Sequence, residues 1–387
     1  VVCEEGFSGS VMWVSGLRWK AAFSSSASSV LGGNITASVY AKVGRNLHRV
    51  ENHPIGILKR IIHQYFVDRH PTAPFELLDD LSPIVSVAQN FDQLLIPAEH
   101  SSRSPSDTYY LQDAHSVLRT HTSAHQTQLM RAGKRRFLVA GDVYRRDEVD
   151  ASHYPVFHQM EGVRLFEEEG DRDAVLQDLQ GVLEGLARHL FGEVRMRWVQ
   201  AFFPFTDPSL ELEIHFQDQW MEVLGCGLIH PHILHAQQLG HLHGWAFGLG
   251  LDRLAMILFD IPDIRLFWSQ DPRFLSQFQA GKICKFQPFS KFPPCFKDIS
   301  FWLPSKDGDL PAFHSNDLME LAREVAGDLV EEVVLTDTFT HPKTGRQSVC
   351  YRVNYRSMER SLTNEEVDRL QSELRRRVQE ELRVELR

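Results

Sequence analysis

The fold is most clearly indicated by an apolar run that ends in four charged residues, Phe137-Leu138-Val139-Ala140-Gly141-Asp142-Val143-Tyr144-Arg145-Arg146-Asp147-Glu148. The apolar part predicts a buried strand, and Phe157 to Phe166 predicts a strand that returns beside it. Together they form a hairpin with a long polar loop. Arg145, fixed at the strand end, could form two parallel hydrogen bonds to a phosphate and would stay charged. Taken alone, the segment is also consistent with a charged hairpin tip that binds nothing.

A second run opens a predicted helix that ends near Phe259, and it reads Gly248-Leu249-Gly250-Leu251-Asp252-Arg253. Its two glycines allow the backbone to come close to a ligand, and Arg253 would face whatever lies there. The spacing matches neither the dinucleotide-binding fingerprint nor the P-loop. A helix that merely starts with glycines is the alternative.

Two polar clusters, His121 to Gln126 and His153 to Glu161, could bind an α-amino acid. Glu161 would hold the ammonium group, Gln and Ser side chains would give direction, and an arginine would hold the carboxylate. Polar surface loops are one alternative. A metal site is another, because four histidines fall in these clusters: His121, His125, His153 and His158.

Strand-like segments follow one another without regular helices between them, at Met196 to Phe203, Leu210 to Phe216 and Trp220 to Gly225. Apolar and polar residues alternate in the second segment, which is the period of a sheet with one polar face. Helices are predicted from Asn52 with Pro54 in the first turn, from His115 to Ala132 and from about Ala174 to Leu190. We therefore expect an α+β fold with an antiparallel sheet and flanking helices.

The last part of the chain predicts a smaller unit. Residues 279–292 are irregular and rich in Pro and Gly, so we place a linker there between a first domain, 47–278, and a second, 293–387. The second domain has the order strand, helix, strand, strand, helix, with a possible last strand near Val384. This order is that of a ferredoxin-like split βαβ fold. Thr363 and Glu366 form a capping-box pattern at the start of the last helix.

Length and composition limit the class of protein. The 387 residues suffice for two or three domains. The net charge of −10 argues against a generally basic nucleic-acid-binding protein, without excluding a local basic face. The five cysteines include no Cys-x-x-Cys pair, so neither a zinc site nor a disulfide framework is indicated. No apolar run approaches the roughly 18 residues that a membrane span requires, so we expect no membrane partner.

The beginning of the chain differs from the rest. Between Gly6 and Val50 there is no Asp or Glu, and there are nine Ser. An acid-poor, Ser-rich and mildly basic segment is typical of a mitochondrial or plastid transit peptide, and a leader without targeting meaning is the alternative. We therefore expect residues 1–46 to be a leader.

The order of these features resembles that of class II aminoacyl-tRNA synthetases: an arginine leaving a strand, a long hairpin loop, and a later Gly-x-Gly-x-x-Arg helix. Further segments resemble the phenylalanyl-tRNA synthetases, and in particular the monomeric organellar members, over roughly Leu47 to Arg387. These segments are Asn90-Phe91-Asp92, Phe157-His158-Gln159-Met160-Glu161-Gly162, Phe203-Pro204-Phe205-Thr206-Asp207-Pro208-Ser209 and Asp263-Ile264-Arg265. Two segments of the last domain resemble the anticodon-binding domain of the same enzymes, Phe296 to Phe301 and Arg356 to Thr363.

The resemblance implies catalytic roles for two arginines. Arg145 would bridge the ATP α-phosphate and the substrate carboxylate, and Arg253 would lie on the γ-phosphate side. Glu222 would contact Mg²⁺. The positions that match, or flank, those holding the amino acid head group and the adenylate are His121, Ser123, Ala124, His125, Gln126, Ser152, His153, Tyr154, Gln159, Met160 and Glu161.

The resemblance also implies a phenylalanine pocket, with Phe203 and Phe205 as its aromatic walls and Ala246 and Phe247 at its far end. For the anticodon-binding domain, tRNA-contacting residues would include Arg352, Arg356 and Arg360, together with aromatic Tyr351 and Tyr355, which we expect to be exposed.

The implied activity is phenylalanine–tRNA ligation. ATP is a substrate, Mg²⁺ assists, and L-phenylalanine and tRNA(Phe) are the other partners of a monomeric enzyme in the mitochondrial matrix. The sequence departs from the family at Asp147 and Asp252, where Glu is usual, and in the short segment from Phe166 to Ala174. Two other readings stay open: a catalytically silent relative that binds RNA or a partner, and an enzyme that makes adenylates for another acceptor.

Overall fold

The computed structural model describes residues 33–166, 171–288, 292–304 and 313–387. Most of the predicted leader, residues 1–32, lies outside the described residues. Residues shortly after Gly33 already belong to the fold: Val39, in the short helix α1 (Ala37–Tyr40), is 1% exposed and belongs to the main hydrophobic core. The folded part of the chain therefore extends further toward the N-terminus than Leu47, where we placed its start.

The first unit is built on a seven-stranded sheet. The strands of this unit are β1 (Glu76–Leu78), β2 (Ile84–Ser86), β3 (Ser116–Leu118), β4 (Arg136–Tyr144), β5 (Val156–Phe166), β6 (Arg195–Ala201), β7 (Thr206–Phe216), β8 (Gln219–Ile229) and β9 (His243–Gly250). The sheet order is β1-β4-β5-β9-β8-β7-β6, and β2 pairs with β3 apart from it. Only the β1–β4 pair is parallel among these sheet neighbours, so the predicted antiparallel α+β class is confirmed.

Helices of this unit flank the sheet. They are α2 (Pro54–Arg69), α3 (Val87–Asn90), α4 (Gln126–Arg131), α5 (Arg172–Phe191), α6 (Pro231–Ala236), α7 (Leu251–Phe259) and α8 (Pro272–Leu275). Apolar residues of α2, α5 and α7 form one core cluster with side chains from one face of the sheet, among them Leu138, Met160 and Ile214. Burial of each such side chain contributes about 1.5–3 kcal/mol. A second cluster on the other face contains Val139 and Val163.

Two local predictions were wrong. The segment from His115 to Ala132 is not one helix, since it contains strand β3, a 3₁₀ turn (Thr122–His125) and the short helix α4. Its backbone is held by distant partners instead: the Arg119 N–H donates to Pro83 O, and the Thr120 N–H donates to the Asn90 side chain. Strand β9 was not predicted, because its glycines interrupt the alternation of apolar and polar side chains that is typical of a strand.

The second unit contains β10 (Cys295–Trp302), α9 (Ser315–Ala326), β11 (Val330–Thr340), β12 (Gln347–Tyr355), α10 (Asn364–Glu381) and β13 (Glu385–Leu386). Its strands are ordered β11-β12-β10-β13 and all pair antiparallel. This arrangement confirms the ferredoxin-like fold. The Thr363 side chain accepts a hydrogen bond from the Glu366 N–H and caps α10, as its sequence pattern predicts.

Residues 279–288, which belong to the predicted linker, contain no helix or strand. They are not detached from the first unit: Phe286 is 5% exposed, and its N–H donates to Phe259 O. Among the described residues, no helix is both long and apolar enough to cross a membrane.

Candidate active site

A cavity of about 340 Å³ opens over β5, β8 and β9. It brings together most of the residues that the sequence singled out, although these come from distant parts of the chain. The lining residues are His121, Thr122, Ser123, Gln126, Arg145, Gln159, Glu161, Phe203, Phe205, Thr206, Glu222, Gly225, Cys226, Ala246, Phe247 and Gly248.

Strand geometry explains why two polar residues of β5 reach this cavity. Side chains alternate between the two faces of a sheet, so Gln159 and Glu161 share one face. Their partners across β9 are Gly250 and Gly248. A Cβ atom added at Gly248 would meet nothing within 4 Å, so this glycine leaves open space beside Glu161.

Arg145 is held at the wall of the cavity by its surroundings. Its N–H closes the hairpin onto Pro155 O at 3.1 Å, and its Nε donates to Thr120 O at 2.8 Å. The guanidinium lies over the ring of Phe157, with 5.3 Å to the ring centroid. Burial lowers the pKa of Arg145 somewhat from its usual value. An arginine remains protonated despite such a shift, so the site presents a fixed positive charge to an anionic ligand.

Glu161 is the titratable carboxylate of the cavity. It is 2% exposed, and burial raises its pKa to about 7, while the hydrogen bond from Ser123 opposes that rise. Its Oε1 atom has no hydrogen-bond partner among the described residues. A buried carboxylate with a free oxygen is suited to accept an ammonium group, which would supply the missing partner.

His121 also faces the cavity as a neutral group. Burial, with the nearby charge of Arg145, lowers its pKa to about 3. Within the described part of the chain, neither of its ring nitrogens has a partner. A neutral imidazole can donate from one nitrogen and accept at the other, so His121 can hydrogen-bond a polar ligand at neutral pH.

The apolar end of the cavity is shaped for a flat ring. The rings of Phe203 and Phe205 lie 5.8 Å apart and nearly parallel, with an angle of 16° between them. The Phe203 N–H donates to Ser209 Oγ at 3.1 Å, which fixes the backbone that carries the ring. Gly225 lies against Phe203 so closely that an added Cβ would be 2.8 Å from the ring.

Arg253 does not line the cavity directly. Its guanidinium lies 3.9 Å from the carboxylate of Glu222, which does line it, and both side chains are largely exposed. Burial and the neighbouring charges of Glu222 and Glu213 raise the pKa of Glu211. Hard carboxylate oxygens that repel one another suit a divalent cation. Glu211 was not predicted for the site. It lies on the polar face of β7, which the alternation of that segment predicts, and it interacts electrostatically with Glu222 although it does not line the cavity itself.

Three predicted binding residues lie under the cavity, not at its surface. Met160 is fully buried in the main core, because it alternates with Gln159 and Glu161 and points to the opposite face of β5. Ala124 packs with Val85 and Val117. His125 Nε2 contacts the guanidinium of Arg119 at 3.0 Å.

Another group of predicted residues lies between the two units. His153 contacts Asp150 at 2.7 Å, and Ser152 donates to the same carboxylate at 2.9 Å. The Tyr154 hydroxyl donates to Asp328 of the second unit, and its ring stacks on Trp268 at 5.8 Å. Ser152, His153 and Tyr154 do not line the cavity over β5, β8 and β9 in this structure, and their role at the amino acid head group stays a prediction.

The histidine metal site is also not formed. Three of the four histidines have different polar partners: His125 contacts Arg119, His153 contacts Asp150, and His158 contacts Asp252. The fourth, His121, faces the cavity. Among the described residues, one group of three or more ligating side chains lies close enough together to hold a metal ion: Glu148, Asp150 and His153, on the hairpin loop.

The buried pairs beneath the cavity were not predicted as part of the site. Arg119, 1% exposed, pairs with Asp142 at 3.0 Å. The carboxylate of Asp252 accepts from the His158 N–H at 2.5 Å, and so joins the start of α7 to β5. No local sequence pattern marks these residues as paired, because the partners are distant in the sequence and come together only in the fold.

The predicted tRNA-contacting arginines differ in their surroundings. Arg352 pairs with Asp298 at 2.8 Å, and Arg360 pairs with Glu366; both arginines are about half exposed. Arg356 pairs with Glu331 at 2.7 Å, and its backbone oxygen accepts from Arg265 of the first unit. The expected exposure of two aromatic residues was wrong, since Tyr351 is 4% and Tyr355 is 0% exposed.

Comparisons with known proteins agree with this geometry. Residues 36–278 match the family of tRNA synthetases class II core domain (F), and residues 290–387 match the ferredoxin-fold anticodon binding domain. The chain is 57% identical to the chloroplastic/mitochondrial phenylalanine–tRNA ligase of Arabidopsis thaliana, over 92% of this chain and 82% of that protein. It is 46% identical to the mitochondrial enzyme of Dictyostelium discoideum, over 92% and 89%, and 50% identical to that of Mus musculus, over 86% and 81%. The chain therefore belongs to the mitochondrial phenylalanine–tRNA ligase family of class II aminoacyl-tRNA synthetases.

Proposed function

We propose that the chain joins L-phenylalanine to tRNA(Phe) in two steps at the cavity over β5, β8 and β9, with ATP as the second substrate. The observation that carries the proposal is that three kinds of group share one cavity: a fixed cation, a buried carboxylate with one unpartnered oxygen, and two stacked aromatic rings. They belong to Arg145, Glu161, Phe203 and Phe205. These groups complement the carboxylate, the ammonium and the ring of phenylalanine.

In the first step, a carboxylate oxygen of phenylalanine attacks the α-phosphorus of ATP. A carbon–oxygen–phosphorus linkage forms, the bond to the bridging oxygen breaks, and pyrophosphate leaves with the electron pair. Arg145 neutralises the crowded negative charge at the α-phosphate, and Arg253 contacts the pyrophosphate portion. Catalysis rests on positioning and charge stabilisation, with no covalent enzyme intermediate.

In the second step, a terminal ribose hydroxyl of tRNA(Phe) attacks the carbonyl carbon of the adenylate. An ester bond forms, AMP leaves, and the hydroxyl proton passes to solvent. The ferredoxin-like domain would bind the anticodon end, with Arg352 and Arg360 among its exposed cations. Arg356 is less accessible, because it also contacts the first unit.

The carboxylates of Glu222 and Glu211 fit a role as holders of Mg²⁺ bound to ATP. When bound there, Mg²⁺ would neutralise phosphate charge during the first step. Arg253, which lies beside Glu222, would then be released toward the same phosphates.

Selectivity against tyrosine would come from the apolar side chains of Phe203, Phe205, Ala246 and Phe247, which offer no hydrogen-bond partner for an added hydroxyl. A hydrophobic pocket rejects such an addition by only ~10²-fold.

We further propose that the chain acts as a monomer in the mitochondrial matrix, by analogy with the single-chain mitochondrial relatives.

The test is a pair of assays on the purified chain. Phenylalanine-dependent ATP–pyrophosphate exchange and charging of tRNA(Phe) should both be robust, while tyrosine should support exchange about 10²-fold less efficiently. Absence of exchange would indicate a silent relative. Exchange without charging of any tRNA would indicate an enzyme that makes adenylates for another acceptor.

A further inference from the structure

The loop that follows Arg145 is held by the anticodon-binding unit. Four consecutive backbone carbonyls of this loop accept hydrogen bonds from that unit. Arg146 O accepts from Asn316 Nδ2 at 3.1 Å, and Val149 O accepts from the Val333 N–H at 2.9 Å. Between them, Asp147 O and Glu148 O both accept from the guanidinium of Arg323.

The side chains of this loop are also engaged. Val149 is 6% exposed and belongs to the hydrophobic core of the second unit, not to that of the first. Arg146 pairs with Asp317 of α9 at 3.1 Å. Residues 146–149 therefore pack against the second unit, although they continue directly from a residue of the catalytic cavity. Arg146 also contacts the first unit, where its N–H donates to Asp107 O at 2.8 Å and its Nη1 donates to Pro105 O at 2.7 Å.

The contact from Arg323 is buried and charged. Arg323 is 6% exposed and pairs at 3.0 Å with Glu320, which is 3% exposed. Glu320 in turn accepts from the Thr36 and Tyr109 hydroxyls of the first unit, each at 2.8 Å. Hydrogen bonds from an ionised donor are roughly twice as strong as neutral ones, and a buried charge is costly to leave unpaired. The cluster therefore fixes α9 and the loop to each other.

We infer that Asn316 and Arg323 are positioning residues for amino acid activation, and that they act through the loop on Arg145. The anticodon-binding unit thus contributes to the first half-reaction, before any tRNA is bound. Arg145 closes the hairpin at Pro155, and the loop between them lacks its own regular hydrogen-bond ladder. Once its carbonyls are released, the loop can move and carry the Arg145 backbone with it. A small misplacement of a catalytic group is enough to slow a reaction by up to about 10²-fold.

The experiment measures tRNA-free, phenylalanine-dependent ATP–pyrophosphate exchange by the full chain. We expect Asn316→Ala to lower kcat/KM for ATP by roughly 10-fold, with KM for phenylalanine within about twofold, because the phenylalanine pocket is made by other strands. Asn364→Ala is the matched control, since Asn364 is an exposed asparagine in the first turn of α10, and it should leave exchange unchanged.

Two arginine variants extend the test. Arg323→Lys keeps the charge but cannot reach both carbonyls in a fork, so it should lose less activity than the double variant Glu320→Gln/Arg323→Met. The double variant removes both buried charges and so avoids an unpaired carboxylate. Arg377→Met is the control, because Arg377 pairs with Glu324 inside the second unit.

Amide hydrogen exchange gives a second readout. Residues 146–155 should exchange faster in Asn316→Ala than in the wild-type chain, while β4 and β5 keep their protection. Normal kinetics for ATP in a folded Asn316→Ala variant with a loosened loop would overturn the inference, and so would an unchanged loop. Because this inference rests on the proposed function, the wild-type chain is assayed beside the variants: an inactive wild type contradicts the proposed function, whereas an active wild type with equally active variants contradicts only the positioning role.

Discussion

The guanidinium of Arg253 lies 3.9 Å from the carboxylate of Glu222, and Glu222 shares its cavity with Arg145. Arg145 and Arg253 are more than one hundred residues apart in the sequence. In the fold they lie near the same cavity, because Glu222 lines it together with Arg145 and contacts Arg253. This relationship connects the start of α7 to the hairpin β4–β5, and it is the geometric basis for binding the two ends of a triphosphate.

Replacement of Arg253 tests one side of this arrangement. Arg253→Ala should lower kcat for ATP–pyrophosphate exchange by about 10²-fold, because a cation that stabilises the leaving pyrophosphate is removed. Steady-state kinetics at saturating phenylalanine measure the effect. Arg188→Ala is the control, since Arg188 is exposed and pairs with Glu184 on α5. An Arg253→Ala enzyme as active as the Arg188→Ala control would exclude the phosphate role.

The pH dependence of phenylalanine use should report Glu161. With a pKa of about 7, Glu161 is mostly neutral below that pH and cannot hold the ammonium group as an ion pair. We expect kcat/KM for phenylalanine to fall about tenfold between pH 8 and pH 6, because the carboxylate form falls by that factor. The hydrogen bond with Asp150 raises the pKa of His153, so His153 is a second titrating group that must be distinguished from Glu161. In Glu161→Gln the step should disappear and activity should be low throughout; persistence of the same step in that variant would assign it to another group.

Gly225→Ala should narrow the phenylalanine pocket. The added methyl group would lie 2.8 Å from the Phe203 ring, so that ring must move into the space meant for substrate. We expect KM for phenylalanine to rise roughly 10-fold with little change in KM for ATP, because one methyl group in an apolar pocket changes binding by about 1–3 kcal/mol. Gly181→Ala is the control, because Gly181 is exposed on α5 and the nearest atom to its added Cβ is Arg69 Nη2 at 3.8 Å, an ordinary contact.

Much of the fold could be predicted because its elements follow local patterns. The alternation in β7 and the apolar run in β4 each identify a strand from its own residues, and the Thr363 cap identifies the start of α10. The same alternation places Gln159 and Glu161 on one face, and applied strictly it would also have excluded Met160 from the cavity. That error came from treating a motif as a block of binding residues.

Other features depend on contacts between distant segments and have no local signal. Tyr154 lies at the boundary between the units, because its hydroxyl donates to Asp328 and its ring stacks on Trp268. The segment 115–132 is not helical at Arg119, whose guanidinium instead pairs with Asp142, a residue of strand β4. The spacing of residues within a segment does not indicate which distant residue will contact it. The positions of Tyr154 and Arg119 could therefore not be predicted from the sequence.

The buried pair Arg119–Asp142 should matter more for stability than for chemistry. Burial alone would raise the pKa of Asp142, but the charge of Arg119 and the Tyr144 hydroxyl hold it below its usual range. Asp142→Asn leaves Arg119 buried without a counter-ion and should cost about 3–5 kcal/mol of the free energy of unfolding, measured by urea denaturation at pH 7. The wild-type contribution should be lost as the pH falls below the unfolded pKa near 3.8 toward the lowered folded value. A loss below about 1 kcal/mol would show that the pair is not a structural anchor.

The most direct measurement is the rate of phenylalanine-dependent ATP–pyrophosphate exchange in Arg145→Ala, with folding verified by thermal denaturation. If Arg145 neutralises the α-phosphate beside the aromatic slot, the variant should lose about 10²–10³-fold in kcat, and Arg145→Lys should recover only part of it. A folded Arg145→Ala enzyme that retains exchange within a few-fold of the wild-type rate would contradict the account.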